Sequence, residues 1–165
     1  YVTLRELRKE VGNDACRFFY VLRKCDQALD FDLTLAKSES SDNPVYYVQY
    51  AHARICSVLE QWDGDVAALA NVDLAPLAGE REMALCASLA EFPATIVAAA
   101  NDYAPHSVAF YLRDLAGEFH GWYNAERMLV DDVALRDARV ALAAAVRQTI
   151  RNGMAILGVS CPESM

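Results

Sequence analysis

The sequence predicts an all-α fold, a bundle of helices that each carry one apolar stripe. Apolar residues recur at helical spacing along most of the chain, and the periodic stretches end at glycine or proline. Only residues 29–33 alternate apolar and acidic side chains as a strand does, and that stretch is too short to form a sheet by itself. With 165 residues, 55% of them hydrophobic, the chain can bury one core.

Capping signals place the first helices near the amino terminus. Thr3 and Glu6 have the spacing of a capping box, and Gly12 is expected to end the helix that they begin. Asp14 is expected to cap the next helix, which should run toward Lys24.

A break of small polar residues at 38–43 divides the chain. We interpret residues 1–40 as the tail of a preceding domain or the connector from it, and residues 41–165 as a helical domain. The chain begins with Tyr1 rather than Met and shows no leader-like segment, so we expect it to be a piece of a longer protein.

Proline and aspartate mark the later helices. Pro44 suits a first helical turn, Pro93 and Pro105 are expected to separate helices, and Asp131 or Asp132 can cap the last one. The predicted helices lie at about 44–62, within 63–78, at 79–91, 93–103 and 105–128, and from about 132 to 157.

The helix at 44–62 has two chemically different sides. At about 100° per residue, Tyr47, Tyr50 and Arg54 fall on one side. Two aromatic rings and a guanidinium suit the stacking of unpaired bases and the binding of phosphate, although ordinary packing of half-buried side chains gives the same pattern. The other side and the last helix supply the predicted core, which is Val48, Ile55, Leu59, Leu142, Val146 and Ile156.

The charge of the chain argues against nucleic-acid binding, with one exception. The formal net charge is −8, and affinity for RNA depends on neutralising phosphates. The last helix is basic, and its arginines should share an arc of about 120° opposite an apolar face of Leu142, Val146, Thr149 and Ile156. These arginines are Arg136, Arg139, Arg147 and Arg151. We take Arg147 and Arg151 as candidate RNA-binding residues.

Several function classes lack their sequence signals. The five cysteines and three histidines have no metal-ligand spacing, so we expect no metal site. The chain has no Gly-rich phosphate loop and no nucleophile–base pair, so we expect it to be catalytically inactive. Its longest nearly uncharged apolar stretches, such as 92–100, are too short to span a bilayer, so we expect no membrane role.

The segment 43–54, Asn-Pro-Val-Tyr-Tyr-Val-Gln-Tyr-Ala-His-Ala-Arg, resembles the opening of the DALR-type anticodon-binding domain of bacterial arginyl-tRNA synthetases. Further similar segments occur in the family's order across nearly the whole chain, at 1–7, 14–20, 30–33, 119–124, 138–142, 153–158 and 162–165. A match of this length is far more specific than a single short motif.

The resemblance implies that the chain is the carboxyl-terminal, tRNA-reading part of an arginine–tRNA ligase. The parent would join arginine to tRNA(Arg) using ATP and magnesium, but the family's His-Ile-Gly-His and Lys-Met-Ser-Lys motifs do not occur here, so no cofactor is expected in this chain. Tyr47, Arg54, Tyr123 and the terminal Met165 match positions that contact the anticodon. The implied partners are the anticodon loop and stem and the catalytic domain of the same protein, in the cytoplasm.

Two alternatives to RNA binding stay open. An all-α scaffold could dock a protein through the same helix, because tyrosine and arginine also dominate protein interfaces. A helical enzyme of unknown type is the third option, and the absence of a convergent acid, base or nucleophile argues against it.

Overall fold

The computed structural model describes residues 2–165, and all regular secondary structure within them is helical, which confirms the predicted all-α fold. A short 3-10 helix at Val66–Asn71 separates the third and fourth α-helices. The α-helices are α1 (Leu4–Val21), α2 (Leu33–Lys37), α3 (Pro44–Trp62), α4 (Glu80–Asn101), α5 (Pro105–Ala125) and α6 (Val133–Leu157).

The first helical segment begins at the Thr3 cap and is interrupted at Gly12, as predicted. Thr3 and Glu6 form the capping box, in which the Thr3 hydroxyl accepts from the Glu6 N–H and the Glu6 carboxylate accepts from the Thr3 N–H. Gly12 adopts a non-helical conformation at φ 84° and ψ 165°, so α1 consists of two helical segments that meet at a kink there. The Asp14 carboxylate accepts hydrogen bonds from Gln49 and Ser160, so it ties α1 to distant parts of the chain.

Helix α3 has the bounds that the sequence predicts. The Asn43 side chain caps it by accepting from the Tyr46 N–H, and Pro44 occupies the first turn. Asn43 is buried and also donates to the carbonyls of Ala36 and Ser38, which fixes the loop between α2 and α3. The helix ends at Asp63, which adopts the left-handed conformation at φ 55°.

Helix α4 corrects the prediction that Pro93 separates two helices. Pro93 lies inside the continuous helix Glu80–Asn101. An internal proline removes one backbone hydrogen bond and costs a helix about 3 kcal/mol. Helix α4 nevertheless continues through Pro93 and packs along α5.

The continuity of α4 also changes the basis of the membrane prediction. By length and composition, α4 could cross a membrane, and it is the one such helix within residues 2–165. A single apolar helix is weak evidence for a membrane role. Glu91 lies in its middle, and Ser88 donates to the Glu118 carboxylate of α5, so α4 makes polar contacts within the bundle.

The core lies between α3, α5 and α6, and α1 packs against it. Five predicted core residues are buried, namely Val48, Ile55, Leu59, Leu142 and Val146. Phe18 of α1 is fully buried in the same cluster as Ile55. Residues on both sides of position 40 share this core. The division of the chain at residue 40 stays a prediction.

The prediction for Ile156 was wrong, since its side chain is 55% exposed. The buried residues of α6 centre roughly 60° around the helix from the predicted apolar face of Leu142, Val146, Thr149 and Ile156, toward the arginine side. This rotation of the buried face places Arg139 within it and leaves Ile156 outside it. Apolar spacing therefore identified a helix but misjudged its rotation about its axis.

Arg139 lies at the centre of this buried face and forms a nearly buried ion-pair network. Its Nε donates to Glu82 at 2.8 Å and its Nη2 to Glu126 at 3.1 Å, and its side chain is only 11% exposed. Nη1 donates to the carbonyl of Arg127 at 2.7 Å. Glu82 also accepts from the Gly79 N–H at 3.0 Å, so the network joins the start of α4 and the α5–α6 loop to α6.

Candidate nucleic-acid interface

Five side chains of α3 and α5 form an aromatic cluster, which consists of Tyr47, Tyr50, Arg54, His120 and Tyr123. The ring centroids of Tyr47 and Tyr50 lie 4.5 and 5.4 Å from that of His120. The Arg54 Cζ lies 4.7 Å from the Tyr50 ring centroid and 4.5 Å from that of Tyr123. The structure thus brings four of the seven predicted site residues together, from two helices distant in sequence.

Helical spacing on both helices builds the cluster. Tyr47, Tyr50 and Arg54 follow one side of α3, and on α5 His120 and Tyr123 are three residues apart. The fully buried Phe119 lies 5.8 Å from the Tyr123 ring and supports it from the core. All four predicted members are half-buried, so each side chain is anchored and still reaches the surface.

His120 is the member that sequence reasoning missed. It is buried, its Nδ1 lies 3.1 Å from Arg54 Nη1, and its Nε2 lies 3.1 Å from the Tyr47 carbonyl oxygen. Burial is the main cause that lowers the pKa of His120; the hydrogen bond to Tyr47 opposes it and the Arg54 charge adds to it. The signal in the sequence was its position three residues before Tyr123 in the 119–124 segment.

Tyr46 and Asn124 extend the cluster at its two ends and were also not predicted. The Tyr46 ring stacks on that of Tyr50 at 5.9 Å with an interplanar angle of 20°. The Asn124 side-chain oxygen accepts from Arg54 Nη1 at 3.2 Å. Both residues lie one helical turn from a cluster member, which is the spacing that could have identified them.

The other three predicted residues, Arg147, Arg151 and Met165, belong to a different region. The carboxyl-terminal tail is held on α3 by Gln49, which donates to the Ser160 carbonyl, and by His52, whose Nδ1 lies 2.9 Å from the Pro162 carbonyl oxygen. Around the α3 axis, these two anchors lie about 200° and 140° from Tyr47. Met165, 54% exposed, follows this anchored tail.

Arg147 and Arg151 act electrostatically on His52 rather than on the aromatic cluster. Burial is the largest cause that lowers the pKa of His52; its bond to Pro162 and the charge of Glu163 oppose this, and the two arginines contribute to the decrease. The Nε of Arg147 is buried without a hydrogen-bond partner within residues 2–165. The predicted site residues therefore form two groups on different sides of α3.

The predicted basic stripe on α6 is not a free phosphate-binding face. Arg139 is occupied by its network with Glu82 and Glu126, and Arg136 pairs with Asp137 at 3.3 Å. Of the four arginines, Arg147 and Arg151 remain candidate phosphate ligands. They lie in the second half of α6, whereas the ion-paired Arg136 and Arg139 lie in the first half. The distant glutamates that neutralise Arg139 could not be identified from spacing.

The described part of the chain offers little for metal or nucleophilic chemistry. No group of three or more His, Cys, Asp or Glu side chains in residues 2–165 has metal-binding geometry. Burial raises the pKa of the Cys161 thiol to about 11, so it is protonated at neutral pH. What the site can do is stack planar groups and donate hydrogen bonds.

Comparison with known proteins identifies the family of this chain. The DALR anticodon binding domain family matches residues 48–165. The whole chain is 74% identical to an arginine–tRNA ligase of Dechloromonas aromatica and 70% identical to that of an Azoarcus species, and it spans 28% of the length of each.

A solved structure shares the fold of this chain. The arginyl-tRNA synthetase of Thermus thermophilus superposes with a TM-score of 0.81 at 32% identity, over 95% of this chain and 27% of that one. The matched family covers more than half of the chain and includes most of α3 and all of α5 and α6, and Tyr47 lies one residue before the matched range. The chain belongs to the DALR anticodon binding domain family, in the form found in arginyl-tRNA synthetases.

Proposed function

We propose that this chain binds the anticodon arm of tRNA(Arg) as the carboxyl-terminal part of an arginine–tRNA ligase. The aromatic cluster carries this proposal, because it presents half-buried tyrosine rings and a guanidinium on one surface. Unpaired loop bases are recognised by stacking on aromatic side chains and arginine planes. This role would place the protein in the cytoplasm, where tRNA is charged.

Arg54 can contribute a polar contact to a bound loop. Both hydrogens of its Nη1 are used by His120 and Asn124. Its Nη2 and Nε make no hydrogen bond within residues 2–165, so they remain available for a phosphate or a base edge. Given the net charge of −8, stacking rather than phosphate neutralisation should supply most of the binding energy in this chain.

The remaining steps of charging tRNA would belong to the rest of the parent protein. ATP, magnesium and arginine would bind there, because this chain has no phosphate-binding loop. Exposed apolar residues in α1 and just before it, which are Val2, Leu4 and Tyr20, would pack against the catalytic domain. An all-α docking scaffold remains the alternative function.

Truncating the rings should weaken tRNA binding. Tyr47→Ala and Tyr123→Ala in the full-length ligase should each cost about 1–3 kcal/mol of affinity for tRNA(Arg), because each would remove one stacking surface. Arg54→Ala should also lower the slope of log affinity against log salt by about one, if Nη2 or Nε binds a phosphate. The measurement is equilibrium binding at several salt concentrations.

Tyr103 provides the matched control. Its ring is 89% exposed at the α4–α5 turn, about 30 Å along α5 from Tyr123. Tyr103→Ala should leave affinity unchanged. Equal losses in the control and the cluster variants, or binding of a protein partner that is insensitive to salt while tRNA binding is absent, would favour the docking scaffold.

A further inference from the structure

Arg54 is held in one orientation by the aromatic cluster. Its guanidinium lies between the Tyr50 ring on its own helix and the Tyr123 ring on α5. Its Nη1 also lies 3.1 Å from His120 Nδ1 and donates to the Asn124 side-chain oxygen at 3.2 Å. A free arginine side chain adopts many conformations, and fixing it costs conformational entropy. These contacts hold the side chain in one conformation, so Nη2 and Nε point in a defined direction.

The contacts of His120 determine which of its nitrogens carries the proton. Arginine is only a donor, so His120 Nδ1 must accept from Arg54 and be unprotonated. His120 Nε2 then carries the hydrogen and donates it to the Tyr47 carbonyl oxygen. The neutral imidazole satisfies both contacts at once. Protonation would place an N–H of a cation against the Arg54 donor and would remove the acceptor.

The groups that face His120 offer nothing to compensate for that protonation. From α3 it meets Tyr47, Tyr50 and Arg54, and from its own helix it meets Phe119. Within residues 2–165, no carboxylate makes a hydrogen bond or salt bridge with His120. Arg54 is thus the charged group in contact with it, and it has the sign that repels an imidazolium.

We propose that His120 and Asn124 are positioning residues that hold Arg54 between the two tyrosine rings, so that the RNA-binding surface is assembled only while His120 is neutral. This inference rests on the proposed function, since it assumes that the aromatic cluster contacts RNA. Neither residue needs to touch the RNA itself.

The expected pH dependence has an unusual sign. Burial lowers the pKa of His120 below its ordinary value of 6.5, so the imidazole is neutral at pH 7–8 and affinity should be constant there. Affinity should fall when the pH drops below 6.5 and passes through the lowered pKa of His120 in the folded protein. Histidine protonation at an RNA-binding surface otherwise adds a positive charge and strengthens binding, so the direction of change distinguishes positioning from simple charge.

Two amide variants separate the two contacts of His120. In His120→Asn the side-chain oxygen lies near the former Nδ1 and can accept from Arg54, whereas in His120→Gln the amide nitrogen lies near the former Nε2 and can donate to Tyr47. Both lose the imidazole ring and carry the same amide group, and the extra methylene of Gln changes which contact the amide can keep. With full-length ligase and tRNA(Arg), His120→Gln should bind about tenfold more weakly at pH 7.5, because it loses a charge-assisted hydrogen bond.

His120→Asn should bind within about threefold of the wild-type protein and should lose the decrease at acid pH. Asn124→Ala, at an exposed position, should weaken binding about threefold without unfolding the protein. His106→Gln is the control, because His106 lies about 21 Å earlier along α5, and this variant should keep the wild-type pH profile.

Several results would overturn the proposal. Wild-type affinity that stays constant or rises across the pH range in which NMR shows His120 to become protonated, while thermal melts show a folded protein, would contradict it. Equal affinities of His120→Asn and His120→Gln, or an Asn124→Ala variant that binds as tightly as wild type, would do so too. If Tyr123→Ala weakens binding in those same experiments, the proposed function stands and only the positioning role fails.

Discussion

Replacing Arg139 by methionine should lower the free energy of unfolding of this chain by about 3–5 kcal/mol, because the Glu82 carboxylate would be left buried without a counter-charge. The Glu82 side chain is only 3% exposed, so water cannot take over the role of the guanidinium. Glu126 is 43% exposed and should contribute less. The measurement is chemical denaturation followed by circular dichroism.

Two further variants show whether the buried charge is the cause. Arg136→Met removes the neighbouring, more exposed pair with Asp137, and should cost less than about 1 kcal/mol. In the double variant Glu82→Gln, Arg139→Met the stranded charge is gone, so part of the stability should return. If the double variant loses the sum of both single losses, the ion pair does not account for the effect.

Ile55→Ala should cost about 2–5 kcal/mol of stability, because the Ile55 side chain is fully buried between α3 and the rest of the core. Ile156→Ala is a matched control of the same chemistry on a side chain that is 55% exposed, and it should cost less than about 0.5 kcal/mol. Denaturant titration of both variants checks the two faces together. Similar losses at the two positions would show that the observed rotation of α6 is incorrect.

Capping residues in the sequence correctly predicted the helices whose ends they define. Helix α3 has its predicted bounds because Asn43, Pro44 and the left-handed Asp63 define them within a few residues. The errors arose where distant contacts decide the outcome. Pro93 lies inside a helix that packs along α5, and Arg139 lies on the buried face of α6, where it meets glutamates from α4 and the α5–α6 loop.

The candidate site could be predicted only in part for the same reason. Tyr47, Tyr50 and Arg54 share one helix, so spacing places them together. His120 contacts residues that are 66 and 73 positions away, and no periodicity relates α3 to α5 across that distance. Tyr123 entered the prediction through family resemblance, and the structure places it over Arg54.

The most direct test of the central claim is a cycle that combines protein and RNA changes. Affinity of the full-length ligase for tRNA(Arg) is compared with that for the same tRNA carrying abasic sites in the anticodon loop, in the wild type and in Tyr123→Ala. If the Tyr123 ring stacks on a loop base, its truncation should cost about 1–3 kcal/mol with intact tRNA and almost nothing once the base is absent. Equal losses with both tRNAs would contradict the claim that this surface binds the unpaired anticodon bases.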